Sequence, residues 1–207
     1  MPLRVDDVVQ ILEAFKTEVF AKLQAIEDKI QGIAVGNEKI ETRLKWVEDK
    51  LTDLENRSRR ENLLFFGISD DREESWESSE EKISAFLKEK LGIDKDIVFH
   101  RVHRIGKYRR GANARPIIAK LLLAKDKELI MKNVGKLKDT GFSICEDFCQ
   151  VTRNKRKLLL PHMKKAKTLG KKAFLRVDTL SIDGVIYHVD DEIVKNRKTG
   201  RPITWEN

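Results

Sequence analysis

Two blocks of lysine and arginine hold most of the chemistry that this sequence offers. Residues 98–138 contain 12 basic and 2 acidic residues, and residues 150–176 contain 10 basic and no acidic residues. A net acidic stretch at residues 139–149 separates the blocks. Because Lys and Arg neutralise phosphate, the two blocks predict two walls of a groove for a polyanion, namely nucleic acid. A solvated basic face and an anionic membrane surface are the alternatives.

Residues that could support catalysis are sparse. His100 and His103 lie among arginines without nearby carboxylates, which favours polar strand residues near phosphate over a base or a metal site. Cys145 and Cys149 are the only cysteines, and no Cys or His pair at zinc-ligand spacing accompanies them, so we expect buried, inert thiols. No glycine-rich phosphate loop is present. We therefore predict no enzyme, metal, cofactor or small-molecule substrate.

The elements that carry the first basic block follow the order βαββαβ. We predict strands and helices, in chain order, at residues 63–68, 80–91, 97–104, 116–123, 125–134 and 142–146, with a basic loop at 106–114. This order suggests an antiparallel sheet backed by two helices, the ferredoxin-like plan of the RNA recognition motif.

The second basic block opens a smaller α+β unit. A basic helix from Thr152 to about Leu169 precedes a strand at 173–177 and a strand pair within 180–189 that turns at Asp183-Gly184. The charged tail after this pair is expected to be loosely ordered. The predicted organisation is a coiled coil at 1–58, an RNA recognition motif at 59–149, a C-terminal nucleic-acid-binding domain at 150–190 and a tail at 191–207.

Aromatic residues for base stacking are few. The third strand, within residues 114–121, has none, and strand alternation places one of Phe65 and Phe66 in the core without showing which. We therefore expect sequence-tolerant binding to the phosphate backbone, with a steep salt dependence.

An apolar 3.5-residue repeat runs through the N-terminal segment. Thirteen of its sixteen positions are apolar, and the exceptions are Lys16, Asn37 and Ser58. The sixteen positions are Val5, Val9, Leu12, Lys16, Val19, Leu23, Ile26, Ile30, Ile33, Asn37, Ile40, Leu44, Val47, Leu51, Leu54 and Ser58. The repeat predicts a left-handed coiled coil about 80 Å long. A helix that packs on its own domain would overhang a domain of this size, so self-association is favoured.

Position-specific features favour a parallel trimer. Arg43 at g, Leu44 at a, Val47 at d and Glu48 at e match the R-h-x-x-h-E pattern of parallel trimers, although a solvated charge pair would have the same spacing. Asn37 at an a position would fix the register, or its amides would hold water or an anion at the axis.

Targeting signals are not evident in the sequence. No apolar run approaches the roughly 18 residues of a membrane span, and the first residues lack the apolar region of a signal peptide. We therefore expect an intracellular protein without a membrane partner.

Six short segments stand out by their order and spacing as well as by their residues: Arg59-Arg60-Glu61-Asn62-Leu63, Val102-His103-Arg104, Arg115-Pro116-Ile117-Ile118-Ala119-Lys120-Leu121, Lys125-Asp126-Lys127-Glu128, Asp147-Phe148 and Lys155-Arg156-Lys157. Together they resemble the RNA-binding protein encoded by the first open reading frame of LINE-type, non-LTR retrotransposons (transposase-22-like). The resemblance implies a trimeric nucleic-acid chaperone that coats retrotransposon RNA. Single-stranded RNA and DNA would be its partners, in a cytoplasmic ribonucleoprotein particle, with a nuclear location also open.

The resemblance also implies which residues contact nucleic acid. It assigns Arg104, Arg115, Arg156 and Lys157 by position. The family has a binding arginine after the second helix of the motif, where this chain has Gly135 followed by Lys136, so that contact would move to Lys136. Further members of the same basic segments complete the predicted interface: Arg101, Lys107, Arg109, Arg110, Arg153 and Lys155.

Two other functions fit parts of the pattern. A coiled-coil structural adaptor would use the helix for protein partners and the basic blocks for solubility only. A host regulator descended from such an element would bind nucleic acid without transposition. Because family members often have a longer coiled coil, the chain is either a compact relative or a truncated one.

Overall fold

The computed structural model describes residues 4–205, apart from the side chain of Asp7. The fold is α+β, with one long N-terminal helix followed by antiparallel sheets. The chain divides into two compact units, Met1–Leu51 and Thr52–Asn207. No helix in the described part of the chain is long and apolar enough to cross a membrane.

Helix α1 spans Val5–Arg59 without a break. The first unit consists of its residues up to Leu51, and the apolar residues of the 3.5-residue repeat are exposed along it; Ile33, for example, is 63% exposed. The single chain therefore leaves this apolar stripe uncovered. The last turns of α1, from Thr52 onward, belong to the second unit.

The first sheet forms with the predicted βαββαβ order. Its elements are β1 (Asn62–Phe66), α2 (Trp76–Leu91), β2 (Phe99–Arg104), β3 (Ile117–Leu121), α3 (Ala124–Asn133), a 3₁₀ turn (Val134–Leu137) and β4 (Ser143–Glu146). The strands are antiparallel and lie in the order β2-β3-β1-β4. The order of elements predicted for this region is confirmed.

Local signals set the ends of α2. The Ser75 side chain accepts the N–H of Ser78 at 3.2 Å, so the helix begins four residues before the predicted start at residue 80. Gly92 ends the helix in the left-handed region at φ +67°, where glycine is favoured. The predicted C-terminal end of this helix is confirmed.

Alternation along β1 separates the two faces of the sheet. Leu63 and Phe65 are fully buried in the core under the helices, and the Phe65 ring meets Phe86 edge-on at 6.2 Å. Leu64 and Phe66 therefore lie on the opposite face. The sequence left open which of Phe65 and Phe66 lies in the core. The structure places Phe65 there and leaves Phe66 half-buried on the other face.

The second sheet packs on one helix. Its elements are α4 (Gln150–Thr168), β5 (Ala173–Arg176), β6 (Thr179–Ile182), β7 (Val185–Asp190) and β8 (Ile193–Asn196). The four strands form an antiparallel meander in sequence order. Leu159 and Ala166 of α4 pack with Leu180, Ile182 and Val194 in its core.

The prediction of a loosely ordered tail was wrong within the described residues. The chain forms β8 and then packs back on the domain, where the Ile203 N–H donates to the Val194 carbonyl at 2.8 Å. The Trp205 indole N–H donates to His162 Nδ1 at 3.1 Å. Apolar residues spaced along the charged tail explain the difference, because burying them offsets the entropy lost on ordering it.

Candidate nucleic-acid interface

Strand pairing assembles a mixed basic and apolar surface on the face of the first sheet that points away from α2 and α3, in which Asn62, Leu64 and Ile118 are buried and Arg101 is exposed. Residues in register form rows across the strands. One row contains His103, Ile118, Leu64 and Cys145, and the next contains Arg101, Lys120 and Asn62. We call this surface the outward face. Desolvation by burial, with the nearby charge of Arg101, lowers the pKa of His103, so its imidazole is neutral at neutral pH.

The first turns of α4 bring further arginines to the β4 edge of this face. The guanidinium carbon of Arg156 lies 4.5 Å from the centroid of the Phe148 ring, and its Nη1 donates to the Val177 carbonyl at 2.6 Å. Cys149 is buried as expected, but Cys145 is exposed, so the expectation of a buried thiol was wrong for Cys145. Partial desolvation raises the pKa of the Cys145 thiol, and the positive charges of Arg156 and Arg153 oppose that shift. Both arginines are therefore electrostatic neighbours of the outward face.

Buried polar contacts hold α4 in that place. The N–H of Cys149, at the start of α4, donates to Asn56 Oδ1 at 3.1 Å, and Asn56 Nδ2 donates to Thr152 Oγ1 at 2.7 Å. The buried Asp147 carboxylate accepts from both Arg59 and Asn62 at 3.0 Å. The end of α1 and the start of β1 thus position the basic helix.

Most predicted contacts are solvent-accessible and make no ion pair among residues 4–205. Lys155 is an exception, because it pairs with Asp178 at 3.4 Å. The accessible cations without an ion pair within residues 4–205 include several on β2 and β3, in the basic loop and in the first turns of α4: Arg101, Lys107, Arg109, Arg110, Lys120, Arg153 and Lys157. Lys120 was not among the contacts predicted from the sequence. Alternation along β3 is the signal that could have identified it.

Arg104 is engaged inside the protein. Its side chain is 3% exposed, and it forms a fork with Glu74 at 2.9 and 3.0 Å. The remaining guanidinium protons go to the carbonyls of Ile68, Ser69 and Arg115. A guanidinium has five N–H donors, and all five are used here. No donor of Arg104 is left for a phosphate oxygen in this arrangement.

Arg115 is nearly as fully engaged. Its side chain is 18% exposed and forks the Asp70 carboxylate at 2.9 Å through both Nε and Nη2. These bonds from Arg115, acting against desolvation, lower the pKa of Asp70 to about 2. Desolvation would raise the pKa of Glu74, but hydrogen bonds led by those from Arg104 and Lys82 lower it to about 2.

These five side chains form what we call the β1–α2 ion network: Asp70, Glu74, Lys82, Arg104 and Arg115. The network ties the loop after β1 to the end of β2 and the start of β3, on either side of the basic loop. Its geometry assigns Arg104 and Arg115 to positioning that loop. Sequence reasoning missed Asp70 and Glu74 as their partners.

Lys136 lies apart from the other predicted contacts. Its ammonium donates to the Leu91 carbonyl at 2.5 Å, at the C-terminal end of α2. Helix α2 covers the face of the sheet opposite to the outward face. A cation at the C-terminal end of a helix also stabilises the helix dipole, so a capping role accounts for this residue.

Comparison with known proteins adds no relative. No protein-family model matches the chain, and no curated protein matches it.

Proposed function

We propose that the protein is a trimeric single-stranded nucleic-acid-binding protein that coats RNA and acts as a nucleic-acid chaperone. The observation that carries this proposal is the set of accessible, unpaired cations on the outward face and the first turns of α4. This function agrees with the resemblance to the first-open-reading-frame protein of LINE-type retrotransposons. The antiparallel sheet order β2-β3-β1-β4 supports an RNA-recognition-motif plan for the first sheet.

The proposed contact is led by the phosphate backbone. Arg101 and Lys120 lie in register on the outward face, and Phe66 is the one phenylalanine of β1 on that side. Arginine and lysine side chains bind nucleic acid of any sequence, because every nucleotide carries the same phosphate. Contacts that are individually weak and exchangeable let strands slide and re-pair, which chaperoning requires physically.

Trimerisation makes such contacts useful. The apolar stripe of α1 is exposed in the single chain, and a parallel trimer would bury it. Three domains on one stalk would bind one strand with a high effective concentration for the second and third contacts. A weak binder would thereby become a coat protein.

A salt titration of fluorescent single-stranded RNA binding tests the proposal. We expect Arg101→Ala and Lys157→Ala each to reduce the slope of log K against log salt by about 0.7 per protomer, equally for all RNA sequences. Lys132→Ala is the matched control, since Lys132 is an exposed cation on α3, behind the sheet. Equal slopes for all four proteins would contradict the proposal.

Arg156 gives the same test a chemical refinement. Its guanidinium stacks on Phe148, so Arg156→Lys should keep the point charge but lose the stacked plane. If the phosphate contact is a point charge, the lysine variant keeps most of the salt slope that Arg156→Ala loses. A structural adaptor would show no salt-dependent binding in any of these proteins.

A further inference from the structure

The second sheet has an exposed face of its own. Ala173, Leu180 and Ile182 point toward α4, so their neighbours in the strands point away from it. Register places Phe174, Ser181 and Ile186 in one row on this far side. Phe174 is 45% exposed and Ile186 is 42% exposed, which leaves an apolar row open to solvent.

Cations border this apolar row. The Arg176 guanidinium carbon lies 5.4 Å from the centroid of the Phe174 ring, and Arg176 begins the next row. At the other end, the Arg197 N–H donates to the Ile186 carbonyl at 2.9 Å. A cleft of about 560 Å³ opens there, with Ile186, Arg197 and Lys198 in its lining. Arg197 and Lys198 are exposed and make no ion pair within residues 4–205.

The same row adjoins the interface described above. Strand β5 ends at Arg176, and the next residue, Val177, accepts the hydrogen bond of Arg156. Asp178 pairs with Lys155 of α4. A single-stranded nucleic acid that extends beyond the first turns of α4 would therefore reach Arg176 next.

We propose that this face is a second contact surface for single-stranded nucleic acid, in which one base stacks on Phe174. A phosphate next to that base lies against Arg176, and a phosphate further along the nucleic-acid strand lies against Arg197 at the other end of the row. Phe174 is 45% exposed beside the small Ser181, and the row of Phe174, Ser181 and Ile186 contains no acidic residue. This inference rests on the proposed function and extends the RNA footprint of each protomer beyond the outward face.

The chemistry of the face favours nucleic acid over a protein partner. An exposed aromatic ring beside arginine suits any base, because every base has a π-face and every linkage carries a phosphate. Acidic character is found at the far end of the sheet, where Asp190 pairs with Lys195 at 2.8 Å and lies in register with Ile193. A strand would therefore run along the Phe174 row and avoid that end.

The test compares Phe174→Ala, Phe174→Leu and Phe174→Tyr with the wild-type chain. Single-stranded RNA that carries 2-aminopurine is the probe, because the fluorescence of this base is quenched when it stacks on an aromatic ring. Base stacking contributes about 1–3 kcal/mol, so Phe174→Ala and Phe174→Leu should weaken binding at least about fivefold and relieve the quenching. Phe174→Tyr should keep both affinity and quenching.

Ile193→Ala is the matched control, since Ile193 is 48% exposed on the same face at its acidic end. It should bind RNA as the wild type does. Wild-type affinity and quenching for Phe174→Leu would overturn the second surface, and so would a change in oligomeric state with unchanged RNA binding. If the wild-type chain itself does not bind RNA, the proposed function fails. If Arg101→Ala and Lys157→Ala weaken binding but Phe174→Leu does not, only the second surface is overturned.

Discussion

The guanidinium of Arg104 donates all of its N–H groups inside the protein, to Glu74 and to three carbonyl groups. Glu74 in turn is fully buried and also accepts from Lys82 at 2.7 Å. Removing the partner of a buried charge of this kind strongly destabilises the fold. The contacts of Arg104 therefore position the two ends of the basic loop within the fold.

We expect Arg104→Ala to lower the free energy of unfolding by about 3 kcal/mol, because it leaves Glu74 buried without its main partner. Urea unfolding measures this loss. Arg101→Ala is the control, since Arg101 is an exposed arginine on the same strand β2 and its loss should change stability by no more than about 0.5 kcal/mol. A salt slope that falls in Arg104→Ala while stability stays at the wild-type value would instead show a direct phosphate contact.

Acid should reduce the difference between Arg104→Ala and the wild type. The pKa values of Asp70 and Glu74 are lowered to about 2 in the folded protein. Their pairs therefore stabilise the fold fully above the unfolded pKa values near 4, and the stabilisation is lost as pH falls through about 2. The two unfolding curves should converge between pH 5 and pH 2, and a constant gap would contradict the role of these carboxylates.

The partners of Arg104 could not be predicted from the sequence. Glu74 lies 30 residues away along the chain, and its place in the network depends on how β2 and the loop after β1 meet in three dimensions. Cations on strand surfaces, such as Arg101, are easier to predict because alternation alone assigns their face. Runs of basic residues in the sequence thus identify the basic region. Which of these residues are accessible to a ligand depends on side-chain pairing in the folded structure.

At the scale of elements, the last turns of α1 act as a cap for α4. Asn56 accepts the Cys149 N–H, one of the amides that a helix start leaves without an internal partner. It also donates to Thr152 in the first turn. The helix that carries Arg153, Arg156 and Lys157 is thereby joined to the end of the long N-terminal helix.

We expect Asn56→Ala to destabilise the start of α4 by about 1 kcal/mol, the usual contribution of a capping side chain. Hydrogen exchange of the Cys149 to Arg153 amides should become several-fold faster, because their local opening costs less. Arg57→Ala, on the exposed side of the same turn, should leave these amides unchanged. Equal exchange in Asn56→Ala and the wild type would show that the contact contributes nothing.

Periodicity and caps predicted most elements, but not how distant ones meet. The βαββαβ order and the turn at Asp183-Gly184 follow from local signals, and both are present. Strand β8 and the packing of Trp205 on His162 were missed, because a charged local sequence hides its few apolar anchors. The junction of Asn56 with Cys149 spans 93 residues, so no local pattern could indicate it.

For the whole molecule, the exposed stripe of α1 is the feature that a single chain does not account for. Repeat residues such as Ile30, Ile40 and Leu51 are exposed along α1. A single helix cannot bury an apolar stripe on its own surface. Apolar surface of this extent is normally covered by another helix. Association of several chains through α1 would cover it and join several copies of the second unit.

We expect the chain to be a parallel trimer at micromolar concentration, held by the apolar repeat of residues 5–54. Ile33 and Ile40 are β-branched residues at d positions, while Leu44 and Leu51 occupy a positions. This combination shifts the preference from two strands to three or more. The stem of Arg43 at g would cover the core, and its guanidinium would pair with Glu48 at e of a neighbouring chain. Arg43→Ala should therefore loosen the oligomer more than Lys45→Ala, which removes a charge from the outward b position. Light scattering across a dilution series measures both effects, and a monomeric or dimeric wild-type chain, or equal loosening by the two variants, would contradict this arrangement.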